Sequence, residues 1–138
     1  MAGIIRYQTF QLKDALYWQD TLLLRYDIRY PQFTSDGIPV SCINERYAKK
    51  AAAYAQHCRG TLFELAKEQL EEDAQLGAPV RVFEAVQAFE VTLGEDCALS
   101  LWFDQYEYTG GAHGNTVRTS ETWDAAACAR IRLSALCA

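Results

Sequence analysis

Apolar and polar positions alternate with period two along several stretches of this chain, and with the helical period along one long stretch. Residues Ile4–Leu12 read as a first strand with Phe10 and Leu12 on one face. The polar mix in Gln11–Asp20, around Lys13-Asp14 and Gln19-Asp20, predicts turns. Thr21–Tyr30 alternates without interruption. Leu22, Leu24, Tyr26, Ile28 and Tyr30 point one way, and Arg25, Asp27 and Arg29 the other. That is the pattern of a half-buried antiparallel strand. Pro31 lacks an amide donor, so the strand ends there or lies at a sheet edge. Thr34-Ser35-Asp36-Gly37 is a loop by composition.

Between Ser41 and Asp73 the period changes. Ile43, Tyr47, Ala51, Tyr54, Cys58, Leu62 and Leu65 recur at spacings of three and four, one continuous helical stripe. Ser41 or Asn44 is the expected cap, because either side-chain oxygen can accept from an orphan amide. A helix of this span is about 50 Å long, whereas a strand of ten residues covers about 33 Å. The mismatch predicts a bend or break near Gly60. The acidic end Glu71-Glu72-Asp73 opposes the helix dipole and is expected to fray. Gly77-Ala78-Pro79 stops the helix.

Val80–Leu93 carries apolar residues on both alternating sets, which predicts a central strand covered on part of both faces. Gly94-Glu95-Asp96 turns the chain. Leu99, Leu101 and Phe103 then alternate with Ser100, Trp102 and Asp104. A glycine-rich loop follows, and Asn115–Trp123 is a more polar, threonine-rich strand. Asp124–Cys128 turns again and Arg130–Leu133 adds a short strand. The expected architecture is a single α+β domain over residues 1–138: one long helix packed on an antiparallel sheet of four to five strands.

Composition narrows the class. Half of the 138 residues are hydrophobic and the net charge is −5. A folded acidic domain is implied, and a nucleic-acid groove, which needs a basic patch, is not. No apolar run approaches the roughly 20 residues of a membrane span. Met-Ala-Gly-Ile-Ile-Arg does not read as a signal peptide. Cys42, Cys58, Cys97, Cys128 and Cys137 include no Cys-x-x-Cys spacing. Their odd number favours buried free thiols over a disulfide framework.

The candidate chemistry gathers at Tyr106–Asn115, Tyr-Glu-Tyr-Thr-Gly-Gly-Ala-His-Gly-Asn. Gly110, Gly111 and Gly114 permit backbone shapes that most residues resist. His113 is expected to lock the loop by bridging backbone groups or a tyrosine hydroxyl, rather than to ligate a metal. Asp104, Glu107 and His113 could in principle form carboxylate–histidine machinery, but a carboxylate pair on a strand edge is more often simply solvated. No metal-binding, phosphate-cradling or serine-nucleophile motif is present, so no cofactor and no catalytic residue is assigned. By alternation Trp102, Tyr106 and Tyr108 share one strand face. This face either packs against the helix or, with Trp123, stacks on a sugar ring or anchors a protein.

The motif Tyr106-x-Tyr108-x-Gly110-Gly111-Ala112-His113-Gly114, with Trp123-Asp124 after it, resembles a known extracytoplasmic domain. So do Tyr30-Pro31-Gln32-Phe33 and Ile43-Asn44 before the long helix. That domain is shared by lysozyme-binding anti-sigma factors (RsiV-like) and the N-terminal region of peptidoglycan N-acetylmuramic-acid deacetylases (PdaC-like). The resemblance implies a non-enzymatic, membrane- or wall-associated binding or sensing domain. Its ligand would be a protein or a cell-wall glycan, received at Trp102, Tyr106, Tyr108, Gly110, Gly111 and His113. Two alternatives stand beside it: a cell-wall hydrolase with His113 as base, and a structural module that oligomerises through an open sheet edge. The family continues beyond a Leu-Ser-x-Leu stretch, matched by Leu133-Ser134-Ala135-Leu136, which implies the first part of a longer extracytoplasmic region.

Overall fold

The computed structural model describes residues 4–95 and 97–131. Strands β1 (Ile5–Trp18) and β2 (Thr21–Ser35) open the chain and pair antiparallel from end to end. Gln19 and Asp20 alone reverse the chain, at φ 49° and 64°, as in the two-residue turns whose twist suits a hairpin. Gln11–Asp20 is therefore mostly strand, not turns. Leu12 and Leu16 pack on the core opposite Ile28 and Leu24, while Lys13 and Ala15 lie opposite Asp27 and Arg25. One apolar residue in two is enough to seat a strand, whatever its other face carries.

Pro31 does not end β2. The next strand pairs only with Leu24–Ile28, so beyond Ile28 no strand demands the donor that Pro31 lacks. Side chains occupy that edge instead. Asn44 Oδ1 accepts from the Phe33 amide at 2.6 Å and Asn44 Nδ2 donates to the Phe33 carbonyl at 2.9 Å. Gln32 Nε2 donates to the carbonyls of Pro31 at 2.8 Å and Asn44 at 3.0 Å. Asn44 thus replaces a strand partner. It caps nothing: the helix begins after Val40 with no side-chain cap. Asn44→Ala leaves both Phe33 groups without partners, and a loss of about 1–3 kcal/mol is expected in urea denaturation.

The helix is α1 (Ser41–His57) and α2 (Phe63–Leu76), joined by a π-helical turn over Cys58–Leu62. The irregularity expected near Gly60 is present as this π-turn, not as a break. The turn widens there, and Tyr54, Cys58, Leu62 and Ala66 stay on one buried stripe. A break is unnecessary because β2 has 15 residues, about 50 Å, matching a helix of about 54 Å. The acidic end is ordered rather than frayed. Gly77 is left-handed, the Ala78 amide donates to the Asp73 carbonyl at 2.8 Å, and the Gly77 amide donates to Ala74 at 3.3 Å.

Strands β3 (Phe83–Glu95), β4 (Ala98–Tyr108), β5 (Asn115–Asp124) and β6 (Ala129–Ile131) complete a sheet ordered β1-β2-β3-β4-β5-β6. Among the described residues it has six strands and is mixed, not four or five and antiparallel, because β2 and β3 run parallel. The long helix carries the chain back along β2, so β3 sets out from the same end. Phe83, Ala85 and Gln87 of β3 are buried while Val86 is 36% exposed. Only one face of β3 is thus covered by the helix, not both. Arg132 and Leu133, expected in the last strand, Asp96 of the turn and Cys137 lie outside the described residues.

Two apolar clusters fill the space between helix and sheet. One gathers β2, the middle of the helix and Phe83; the other gathers Phe33, Ile43, Tyr47, Leu101, Phe103 and Trp123. The second encloses a polar chain. Trp123 Nε1 donates to Tyr47 Oη at 2.7 Å, and the Tyr47 hydroxyl donates to Glu121 at 2.9 Å. Arg46 at 3.0 Å and Arg130 at 2.8 Å also donate to Glu121. Burial alone would raise the Glu121 carboxyl, but donation from Arg130, Tyr47 and Arg46 outweighs it and holds the group below its usual range.

The expectation of free thiols fails for Cys42 and Cys128. They form a disulfide across 6.3 Å between Cα atoms, tying the first turn of α1 to the turn before β6. Cys97 is disulfide-bonded as well. Cys58 is free and buried, and burial pushes its thiol up to about 12, which leaves it unreactive at neutral pH. Cys42 and Cys128 are 86 positions apart in sequence, so only the fold brings them together.

Candidate functional site

Strand alternation sorts the candidates into two groups. Leu99, Leu101 and Phe103 of β4 are buried toward the helix. Glu107 has the same parity and accepts from the Tyr54 hydroxyl at 2.9 Å. Trp102, Asp104, Tyr106 and Tyr108 take the outer face and are half-buried. The outer face, not the helix, therefore receives these aromatics. Trp123 does not join them; it is buried at 4% exposure against Tyr47.

Arg118 of β5 organises this face. Its guanidinium lies 3.9 Å from the Trp102 ring centroid and grips Asp104 with two bonds of 2.8 and 2.9 Å. The Arg118 bonds hold the Asp104 carboxyl below its usual value and leave it ionised and engaged. Asp104, Glu107 and His113 are not brought together: the two carboxylates serve opposite faces, and His113 makes no hydrogen bond to the described residues. Among those residues no group of three or more His, Cys, Asp or Glu side chains is placed to hold a metal ion.

Beside the aromatics lies a groove of about 330 Å³, lined by Lys13, Ala15, Arg25, Asp27, Glu84 and Val86 among others. Its floor is mostly apolar and its rim is charged, with Arg25 on Glu84 at 2.9 Å and Gln11 on Asp27 at 2.7 Å. Val86 is the cross-strand partner of Tyr106, and Glu84 of Tyr108. Groove and aromatic strip therefore join across β3 and β4. A concave, mainly apolar surface with a few directed polar groups has the make-up of a binding site.

The loop Thr109–Gly114 closes one end of this face, and its shape does not rest on His113. Gly110 is buried at φ 88°, where a Cβ would lie 3.4 Å from the Phe83 ring. Its carbonyl accepts from Arg81 Nη1. Arg81 is in turn held by Asp73 at 2.8 Å, and Gln69 donates to the same carboxylate at 3.0 Å. Asp73 is 2% exposed; donation from Arg81 first, then Gln69, holds its carboxyl below the usual range. Tyr106 covers Gly114 so closely that a Cβ there would meet its ring end at 2.2 Å. His113 and Gly111 are left exposed.

The expected bridging role of His113 is therefore overturned: helix end, Arg81 and Gly110 do that work. His113→Ala is expected to shift stability by less than about 0.5 kcal/mol. Gly110→Ala forces a side chain into left-handed backbone and is expected to cost about 1–2 kcal/mol. Thermal melting of the two variants side by side separates these roles. Asp73 and Arg81 escaped sequence reasoning because an acidic helix end and an arginine eight residues later announce no partnership. The groove charges were visible only as the outward set of an alternating strand.

No helix among the described residues is long and apolar enough to cross a membrane. No curated protein matches the chain. Among solved structures, a DUF3298 family member from Bacteroides fragilis superposes with a TM-score of 0.64 at 19% identity, covering 96% of this chain. A DUF3298 family protein from Pseudomonas aeruginosa gives 0.52 at 14%, covering 91%. The chain spans 61% of the first and 55% of the second. At these identities the likeness is one of fold. In sequence, the family model described as deacetylase PdaC matches residues 19–116, from the β1–β2 turn through the glycine loop. The motifs this segment holds are those the fold brings together, Asn44 on Phe33 and Tyr106 on Gly114, and the chain belongs to the PdaC family.

Proposed function

We propose that this domain is a non-enzymatic binding or sensing module of the cell envelope. Its ligand, a protein or a cell-wall glycan, sits in the outer-face groove against Trp102, Tyr106, Tyr108 and the exposed His113 loop. The observation that carries this reading is the continuity of a mainly apolar groove with an aromatic strip on a sheet face the helix leaves uncovered. Rings on a strand face suit sugar stacking and protein anchoring alike. The loop fits such a role because Arg81 fixes its base while Gly111 and His113 stay open to a partner. The Cys42–Cys128 disulfide supports a place outside the reducing cytosol. The hydrolase alternative gains no support from Asp104 and Glu107, which are engaged by Arg118 and Tyr54.

Titration with soluble peptidoglycan fragments and with lysozymes tests the proposal. Tyr106→Ala and Val86→Asp are expected to weaken binding at least about tenfold while melting near the parent. Binding unchanged in both variants, or absent for both ligand classes, overturns it. One observation favours the oligomerisation reading: Tyr7, Phe10, Tyr17 and Trp18 of the terminal strand β1 are each more than two-fifths exposed. A long edge with apolar side chains is a template for strand pairing. A concentration-dependent dimer in sedimentation, together with no ligand of either class, would favour that role.

A further inference from the structure

The helix side of the molecule carries a second feature that the outer-face groove does not use. The chain is acidic overall, yet Arg46, Lys49 and Lys50 line a single cavity of about 730 Å³ with Cys42 and Glu45. Arg130 shares the Glu121 carboxylate with Arg46. The acids here are already engaged. Glu45 is bound by Lys49 at 2.8 Å, and one Glu121 oxygen receives both Arg46 at 3.0 Å and Arg130 at 2.8 Å. Four cations thus face two carboxylates.

Among the described residues one of these cations lacks an acceptor, and a second has one donor unpaired. Arg46 Nε is buried without a hydrogen-bond partner. The Lys50 ammonium rests 4.0 Å above the Phe103 ring and makes no hydrogen bond to the described residues. Burial first, and the neighbouring Arg46 charge after it, lower its pKa by more than the Glu121 carboxylate raises it. A cation–π contact stabilises a charge from one side only and leaves its other donors open. A guanidinium and two ammonium groups lining one cavity supply the positive charge that an oxyanion requires, with the Lys50 ammonium as an unpaired point charge. The disulfide fixes the cavity wall, since Cys42 is both lining residue and cross-link.

We propose that Arg46, Lys49 and Lys50 form a binding site for an oxyanion, the phosphate or carboxylate group of an anionic ligand, distinct from the outer-face groove. The site is independent of what that groove binds.

Calorimetric titration with inorganic phosphate and with acetate, at ionic strength held constant with sodium chloride, tests it. Saturable binding is expected in the parent. Lys50→Met keeps the stem over Phe103 and is expected to weaken binding at least about tenfold. Lys49→Gln, at a more exposed position, is expected to weaken it several-fold, and Arg6→Gln on β1 to leave it unchanged. Stronger binding of phosphate assigns a phosphoryl ligand and stronger binding of acetate a carboxylate; either supports the site. Saturable binding of neither ion overturns it. So does binding that survives both lysine substitutions, or that falls equally in Arg6→Gln. Melting curves of Lys50→Met and Lys49→Gln ensure that a loss is read on folded protein.

Discussion

Replacing Cys42 and Cys128 together with serine is expected to lower stability by about 4 kcal/mol, within the usual 2–5 for a native disulfide. The size follows from the loop. The bond spans 86 residues, so in the unfolded chain it removes much of the freedom between the helix start and the last turn of the sheet. For a chain of this length such a loss corresponds to roughly 10–15 °C in melting temperature. Position adds to it. Cys42 lies in the first turn of α1 and Cys128 is held at φ 52°, a conformation that a residue with a side chain adopts only under constraint. Without the bond, the turn before β6 loses its tie to the helix. The measurement is a melting curve with and without reductant, beside the double serine variant. Identical midpoints in all three would show that the bond holds nothing, and would remove the main support for an oxidising compartment.

Glu121→Ala is the second large effect, expected at about 2–3 kcal/mol. Glu121 is the acceptor for the Tyr47 hydroxyl, Arg46 and Arg130, and Tyr47 is the acceptor for Trp123. Removing it leaves a buried phenol without its acceptor and two guanidiniums without a counter-charge. Breaking a fully buried pair costs about 3–5 kcal/mol; here both arginines reach solvent, so the lower figure applies. Tyr47→Phe removes one link and is expected to cost about 1–3 kcal/mol. The effect has a pH signature. The folded carboxyl titrates below its unfolded value, about 4.3. Its contribution is therefore complete above the unfolded value and is lost as pH falls through the folded one. Urea denaturation at neutral pH and near pH 3 should show the gap between parent and Glu121→Gln narrowing in acid. A gap that stays constant would mean the charge contributes nothing.

Both effects lie in contacts that join distant parts of the chain, and those were the hardest to see beforehand. The helical stripe from Ile43 to Leu65 was legible because its period is local, and so was the alternation of Thr21–Tyr30, β4 and β5. Each needs only that one face be apolar. Pro31 and Gly60 were legible in part: β2 runs on past Pro31, but at the edge that the missing donor predicts, and the α-helix gives way at Gly60 to a π-turn instead of breaking. Pro31 falls where β3 no longer pairs with β2, and Gly60 falls in a π-turn that keeps the stripe in phase.

The candidate site divides in the same way. The sequence alone determined that the Tyr106–Gly114 loop is special, that Trp102, Tyr106 and Tyr108 share a face, and that one long helix covers one side of a sheet. These follow from residue spacing and from which residues tolerate unusual backbone. The tertiary structure decided which face that was, because parity says that residues agree but not which way they point. It decided that β2 and β3 run parallel, since direction depends on where a helix of matching length returns the chain. It gave the loop its anchor in Asp73 and Arg81 rather than in His113, and it paired Cys42 with Cys128. Each of these depends on groups far apart in sequence meeting in space, and a one-dimensional pattern holds no record of that distance.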